Sequence, residues 1–198
     1  MTVQATPPGE VPADELAFNF RSGRLCLAFV ATVGERWRGG YERLREPSDL
    51  ARWYREAGVL DTPVNVTLTG LDAARDLREA IHRQARAVMG GQISAPEDEL
   101  VINSAGCAPP LIPVLRSGHA YLTLPSLGAE QAALSTLARD AIDLFSGAAS
   151  GRIRECAGPE CGLLFVDTSR PGSRRWCSST ACGGKERAAA YRRRKRTE

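Results

Sequence analysis

Four of the chain's six cysteines fall in the stretch CAGPECGLLFVDTSRPGSRRWCSSTAC, which runs from Cys156 to Cys182. They form two Cys-x4-Cys pairs, Cys156/Cys161 and Cys177/Cys182, with fifteen residues between the pairs. Zinc takes four soft ligands in a tetrahedron, and thiolates at a Zn–S distance of about 2.3 Å fill such a site and close it to water. One structural, non-catalytic zinc held by Cys156, Cys161, Cys177 and Cys182 is the leading reading, with a disulfide frame or redox pair as the alternative. Four thiolates around Zn2+ leave a formal charge of −2. Arg154, Arg174, Arg175 and Lys185 are close enough in sequence to offset it, as is a helix N-terminus just after Cys182.

The elements around these cysteines must bring the two pairs together. GLLFVDTS has strand composition, RPGS is a Pro-Gly turn, and RRWCS reads as a return strand. After two glycines, KERAAAYRRRKR is rich in helix formers. The expected order is cysteine knuckle, β-hairpin, second cysteine pair, helix, which is that of a treble-clef finger. Large apolar residues are few here (Leu163, Leu164, Phe165, Trp176), so the module needs the metal in order to fold.

Charge is unevenly distributed. Residues 151–198 hold 12 Lys/Arg against 5 Asp/Glu, a balance of +7, and residues 1–150 hold 14 against 18, a balance of −4. A basic tail on an acidic body points to a polyanionic partner, with a solvated charged end as the plainer alternative. The candidate nucleic-acid contacts are Arg174, Arg175 and Trp176 on the hairpin, with Lys185, Arg187, Arg192, Arg193, Arg194, Lys195 and Arg196 on or beyond the helix. Five consecutive cations encircle a helix, which suits phosphate tracking better than base reading. DNA is the expected partner. An RNA partner, or a protein partner such as RNA polymerase or another acidic protein, is the alternative; the lone Trp176 is thin support for base stacking.

The body reads as mainly helical with a few strands, so the fold class is α+β. Residues 1–15, with three prolines, read as a disordered leader. RLCLAFVATV is a buried strand or a short core helix, which periodicity alone does not separate. PSDLARWYREAG reads as a helix capped by Ser48, with Leu50, Trp53 and Tyr54 on its apolar face. LDAARDLREAIHRQARAVMGG is the clearest helix, with Leu77, Ile81, Ala85 and Val88 in register and Gly90 as its stop. SAPEDEL opens another helix with Ser94 and Glu97 as a capping box. APPLIPVL reads as a loop leading to a strand at Ala120–Leu124. A last body helix spans about 129–146 with the stripe Leu134, Leu137, Ala141, Ile142 and Phe145. GAASG marks a joint between a body of residues 16–150 and a finger of 151–198, and the body's own apolar stripes predict that it folds alone.

Several function classes find no support. The N-terminus has no basic segment or apolar run of a secretory signal, and no stretch approaches the ~20 apolar residues of a membrane span. A cytoplasmic protein without membrane association is expected. Phosphate-binding glycine loops and hydrolase or metalloprotease motifs are absent, so the chain does not read as an enzyme. Cys26 and Cys107 read as inert buried thiols. His82, three residues after Glu79, reads as solvated on a polar helix face, and His119 has no chemical partners in sequence.

The segment CAGPECGLLFVDTSRPGSRRWCSSTACGGKERAAAYRRR resembles the CGNR zinc finger. LCLAFVATVG, LREPSDLARWYREAGVL, LREAIHRQARAVMGG and APPLIPVL resemble the ABATE domain that accompanies it in bacterial proteins. The resemblance covers nearly all of residues 20–196. It implies a stress-induced transcription regulator with a metal-binding, DNA-binding C-terminal finger; an unknown small-molecule effector of the body is a further candidate partner. Gly184 and Lys185 stand where that family has Asn and Arg, and Ala28 and Ala31 stand where it carries Asp and Asn. Lys185 keeps the charge but not the planar fork of Arg.

Overall fold

The protein is described by a computed structural model covering residues 16–36, 39–60, 63–125 and 128–195; the leader expected at 1–15 and Arg196 lie outside the described residues. The elements, in chain order, are α1 (Leu25–Val30), β1 (Val33–Gly34), β2 (Tyr41–Glu42), α2 (Pro47–Glu56), α3 (Leu68–Met89), α4 (Pro96–Gly106), β3 (Ile112–Arg116), β4 (His119–Thr123) and α5 (Ala129–Ser146). A 3-10 turn at Ser150–Arg152 leads to β5 (Ile153–Glu155), β6 (Leu164–Val166) and α6 (Cys182–Lys195). Among the described residues the strands form separate antiparallel pairs, β1–β2, β3–β4 and β5–β6, so the class is α+β as expected.

The long helix α3 packs against α1, α2, α4 and α5 and forms the middle of the body. Its stripe of Leu77, Ile81 and Ala85 is fully buried. Thr67 caps it by accepting the Gly70 N–H at 2.9 Å, and Glu130 of α5 accepts the Thr67 N–H at 3.0 Å. A Cβ at Gly70 would overlap the Glu130 carboxylate, so glycine is what lets α5 close onto this helix start.

The apolar run near residue 24 resolves as helix. In α1, residues 26–30 are all buried, and Asp140 of α5 accepts the Cys26 N–H at 2.8 Å in place of a local cap. Asp140 also pairs with Arg24 at 2.9 Å. Phe29 meets Trp53 of α2 with ring centroids 5.0 Å apart. Burial beside Asp140 pushes the Cys26 thiol well up, which keeps it protonated and inert.

Three helix details differ from the sequence reading. α2 starts at Pro47 and is capped reciprocally by Glu46 and Asp49, not by Ser48, because Pro47 takes the first helical position and moves the cap back. α4 starts at Pro96 with Ala95 at the cap, so Ser94 lies one residue too early for its box with Glu97. Its first turn is stabilised instead by Glu97, Asp98 and Glu99, and buried Asp98 is bound by Arg83 of α3. In α5, Leu144 is buried and Ile142 is 37% exposed, because steps of three, four and three from Leu134 lead to residue 144.

The APPLIPVL loop is half strand. Residues 112–116 pair with 119–123, Ile112 opposite Thr123 and Arg116 opposite His119. Ser117 and Gly118, at φ 49° and 79°, make the two-residue turn that suits the twist of a hairpin. Cys107 caps the end of α4 and is exposed, not buried as expected, since the helix ends at the surface.

A buried arginine holds β1–β2 onto α3. Arg78, 3% exposed, grips both Glu42 oxygens at 2.7 Å and donates to Thr32 and Glu79. Glu79 in turn receives both nitrogens of Arg36. Burial alone would raise Glu79, but the Arg36 and Arg78 guanidiniums hold it down at about 2.

Candidate metal centre

β5 and β6 pair with Ile153 opposite Val166 and Glu155 opposite Leu164. Cys156 follows β5 directly, and Cys161, Gly162 and Leu163 lead back into β6. The hairpin therefore straddles the first cysteine pair instead of linking the two pairs. Gly162, at φ 60°, makes the turn after Cys161. Gly158 lies so close that a Cβ would sit 3.2 Å from that of Cys161 and 3.4 Å from the Cys182 sulfur. Neither glycine was singled out from sequence.

The return strand expected at RRWCS does not form. One backbone bond, from the Ala157 N–H to the Arg175 carbonyl at 2.8 Å, ties this segment to the knuckle. Side chains do the rest. Asp167 accepts the Ser169 N–H at 2.9 Å and the Arg174 N–H at 2.8 Å, and Arg174 donates to the Cys177 carbonyl at 2.8 Å. With its backbone donor taken by a carboxylate, Arg174 does not enter a ladder. Burial would raise Asp167, but these donors hold it down at about 2.

β6 is buried on both faces, which explains why its sequence does not alternate. Phe165 faces the cysteine cluster, where it packs with Cys156, Leu163 and Cys177. Leu164 and Val166, with Ile153 of β5, face the other way and belong to the core of the body. Ala31, at the end of α1, packs against the cysteine cluster from the body side.

The four sulfurs lie within 4.8 Å of one another. A tetrahedron with Zn–S near 2.3 Å requires sulfurs about 3.8 Å apart; Cys161 and Cys177 are at 3.8 Å and Cys177 and Cys182 at 3.7 Å. A disulfide would bring two sulfurs to about 2.05 Å, and all four cysteines are free. The Cys177 N–H points at the Cys156 sulfur at 3.3 Å, an amide donor of the kind that offsets thiolate charge. Hydrogen bonding from Cys177, opposed by burial, lowers the Cys161 thiol to about 5; the hydrogen bond to Cys161, with burial and the Cys161 charge, pushes Cys177 up, and burial with the Cys161 hydrogen bond and charge raises Cys182 to about 11. Binding of a divalent cation requires the ligating sulfurs as thiolates and so releases their protons. The donor set fits one structural zinc, with no position left for water.

The candidate nucleic-acid residues separate into two groups. Arg174 is turned inward, stacked over Phe165 and bonded to Cys177, so it braces the metal loop. Trp176 packs on the cysteine cluster with Arg175 over its ring, 5.2 Å from the centroid. Arg175, Lys185, Arg187 and Arg192–Lys195 are exposed. Arg187 also donates to the Ser179 carbonyl at 2.8 Å, and Arg193 pairs with Glu186 at 2.8 Å. Arg154, expected near the thiolates, donates instead to the Gly151 and Ile153 carbonyls.

A cleft of about 510 Å3 separates body from finger, with Ala31 and His82 on one wall and Cys161, Cys182 and Lys185 on the other. His82 is half-buried, contrary to the solvated reading, because the finger covers that part of α3. Burial and the nearby Arg36 lower it to about 4, so it is neutral at pH 7. No described helix is long and apolar enough to cross a membrane.

Comparison with known families agrees with this geometry. A family described as "Putative stress-induced transcription regulator", ABATE, matches residues 23–148, and the CGNR zinc finger matches residues 152–195. No curated protein matches the chain. The two family matches meet at the small-residue joint expected from the sequence. The chain belongs to the ABATE family and carries a CGNR zinc finger at its C-terminus.

Proposed function

We propose that this is a cytoplasmic transcription regulator, a binding protein rather than an enzyme, whose finger docks on duplex DNA. The observation that carries this reading is α6. It begins at the last zinc ligand, buries only Gly183, and exposes Lys185, Arg187 and Arg192–Lys195. A helix with no apolar face gains nothing from packing on a protein core, whereas a cationic helix anchored at one end by a metal suits a phosphate backbone. Lys185 and Arg192, seven residues apart, share one face, as do Arg187 and Arg194, so the helix offers charge on more than one side. That arrangement supplies affinity more than base discrimination. The body–finger cleft supports the effector reading, since anything seated there would touch both modules.

Fluorescence anisotropy of zinc-loaded protein on duplex DNA over a salt series tests the reading. Each neutralised phosphate contributes a slope of about −0.9 in log K against log salt. Deleting residues 192–198 should weaken all sequences alike and flatten that slope. Absence of binding at low salt would transfer the proposal to a protein partner, and preference for single strands would transfer it to RNA.

A further inference from the structure

The β3–β4 hairpin rests on the body through Leu122, which packs against the core, and leaves much of its surface open. Its strands pair closely with each other and have no comparable contact with any other element. Ile112, Leu115, Tyr121 and Leu124 are 47%, 78%, 40% and 41% exposed. A lone two-stranded hairpin is marginal in water, and an open apolar edge invites pairing with another chain.

The two edges differ. The tight turn at Ser117-Gly118 makes Arg116 and His119 a hydrogen-bonded pair, so bonded pairs recur at Val114/Tyr121 and Ile112/Thr123. Leu115, Pro113, Ala120 and Leu122 therefore turn their backbone groups outward. On β3, Pro113 has no N–H to offer, and that edge is blocked. On β4, the N–H and C=O of both Ala120 and Leu122 point outward, with no backbone partner beyond the strand pair among the described residues. No charge, proline or bulge guards this edge; of the hairpin's Arg116, His119 and Tyr121, the first two sit at the tip and only the Tyr121 phenol lies along the strand.

We infer that β4 pairs antiparallel with β4 of a second copy of this chain, about a two-fold axis at Tyr121. In that register Ala120 meets Leu122 of the second copy, and Leu122 meets its Ala120, so the four outward groups of each strand are satisfied reciprocally. The two Tyr121 side chains face each other in the non-bonded pair, and the cationic tips lie at opposite ends, apart. The product is a four-stranded sheet in the order β3-β4-β4-β3, bounded on both sides by the proline-blocked edge. Closure at a dimer, not an open filament, follows from that block. A two-fold assembly would present two fingers to DNA, so the inference extends the regulator reading but rests only on the hairpin.

Sedimentation velocity on the zinc-loaded full chain, without DNA, tests it independently of DNA binding. The wild type is expected to sediment at twice the mass of one chain as concentration rises through the micromolar range. Tyr121→Lys places like charges face to face and should weaken the dimer at least about tenfold; Tyr121→Glu should do the same. Mixing the two variants should restore a heterodimer, which a merely misfolded hairpin would not do. A wild type that stays monomeric into the high-micromolar range, or a dimer indifferent to both substitutions, would overturn the inference.

Discussion

Cys177 lies at the centre of the metal cluster, with its sulfur 3.8 Å and 3.7 Å from those of Cys161 and Cys182 and its N–H on Cys156. Cys177→Ser should reduce zinc from one per chain to well below stoichiometric and expose the finger amides to exchange, since zinc supplies roughly 10 kcal/mol or more to such modules. Arg174 and Arg175 are adjacent in sequence but should respond differently. Arg174→Ala removes the brace on the Cys177 carbonyl, so chelators should strip zinc faster; Arg175→Ala should leave zinc retention unchanged and weaken DNA binding. His82 gives a pH signature. Its folded value of about 4 lies below the ordinary 6.5, so the unfolded chain takes up a proton first as pH falls. The stability from burying it neutral is complete above pH 6.5 and is lost as pH falls toward 4. Glu79 adds a second loss, from about pH 4.5 down to its folded value near 2. His82→Gln should flatten the stability profile between pH 6.5 and 4.5, read by denaturant melts with zinc content followed in parallel.

Among the elements, the hairpin β1–β2 depends on a network that sequence reading does not reveal. Arg78→Ala leaves Glu42 without its bidentate partner and should cost about 3 kcal/mol in a urea melt. Arg78 was invisible in the sequence because an arginine in a helix reads as solvent-facing, and its partner Glu42 is 36 positions away. The α3 and α5 helices were legible because their apolar residues recur at steps of three and four over many turns. α1 was not, since a six-residue helix with five consecutive buried residues carries no period. The cysteine ligands were legible from spacing, whereas the strand pairing around them was not. GLLFVDTS does become a strand, but its partner lies before Cys156 instead of after Arg174. The difference arises from Asp167 capturing the Arg174 N–H, a side-chain event that composition does not record. Phe165→Ala, which empties the 1%-exposed centre of the finger, should cost about 3–5 kcal/mol and speed zinc loss.

At the scale of the whole molecule, the sequence joint and the packing joint do not coincide. The body of residues 16–150 was expected to fold alone, yet Ile153, Leu164 and Val166 lie in its core, and the Val166 N–H donates to the Ser22 carbonyl at 2.9 Å. Burying three such side chains contributes about 5 kcal/mol, a large share of the roughly 5–15 kcal/mol of an ordinary domain. A chain ending at Ser150 should therefore melt at lower denaturant and less cooperatively than the full chain. Zinc removal should lower body stability as well, because β5–β6 is held from one side by the metal cluster and from the other by the body. The central claim, that a zinc-held finger presents α6 to DNA, is tested most directly by duplex binding at low salt before chelation, after chelation, and after zinc is restored. The account predicts saturable binding by the zinc-loaded chain, at least about tenfold weaker binding on chelation, and recovery with zinc. Equal affinity in all three states would contradict it, because the basic tail would then bind without the finger that positions it.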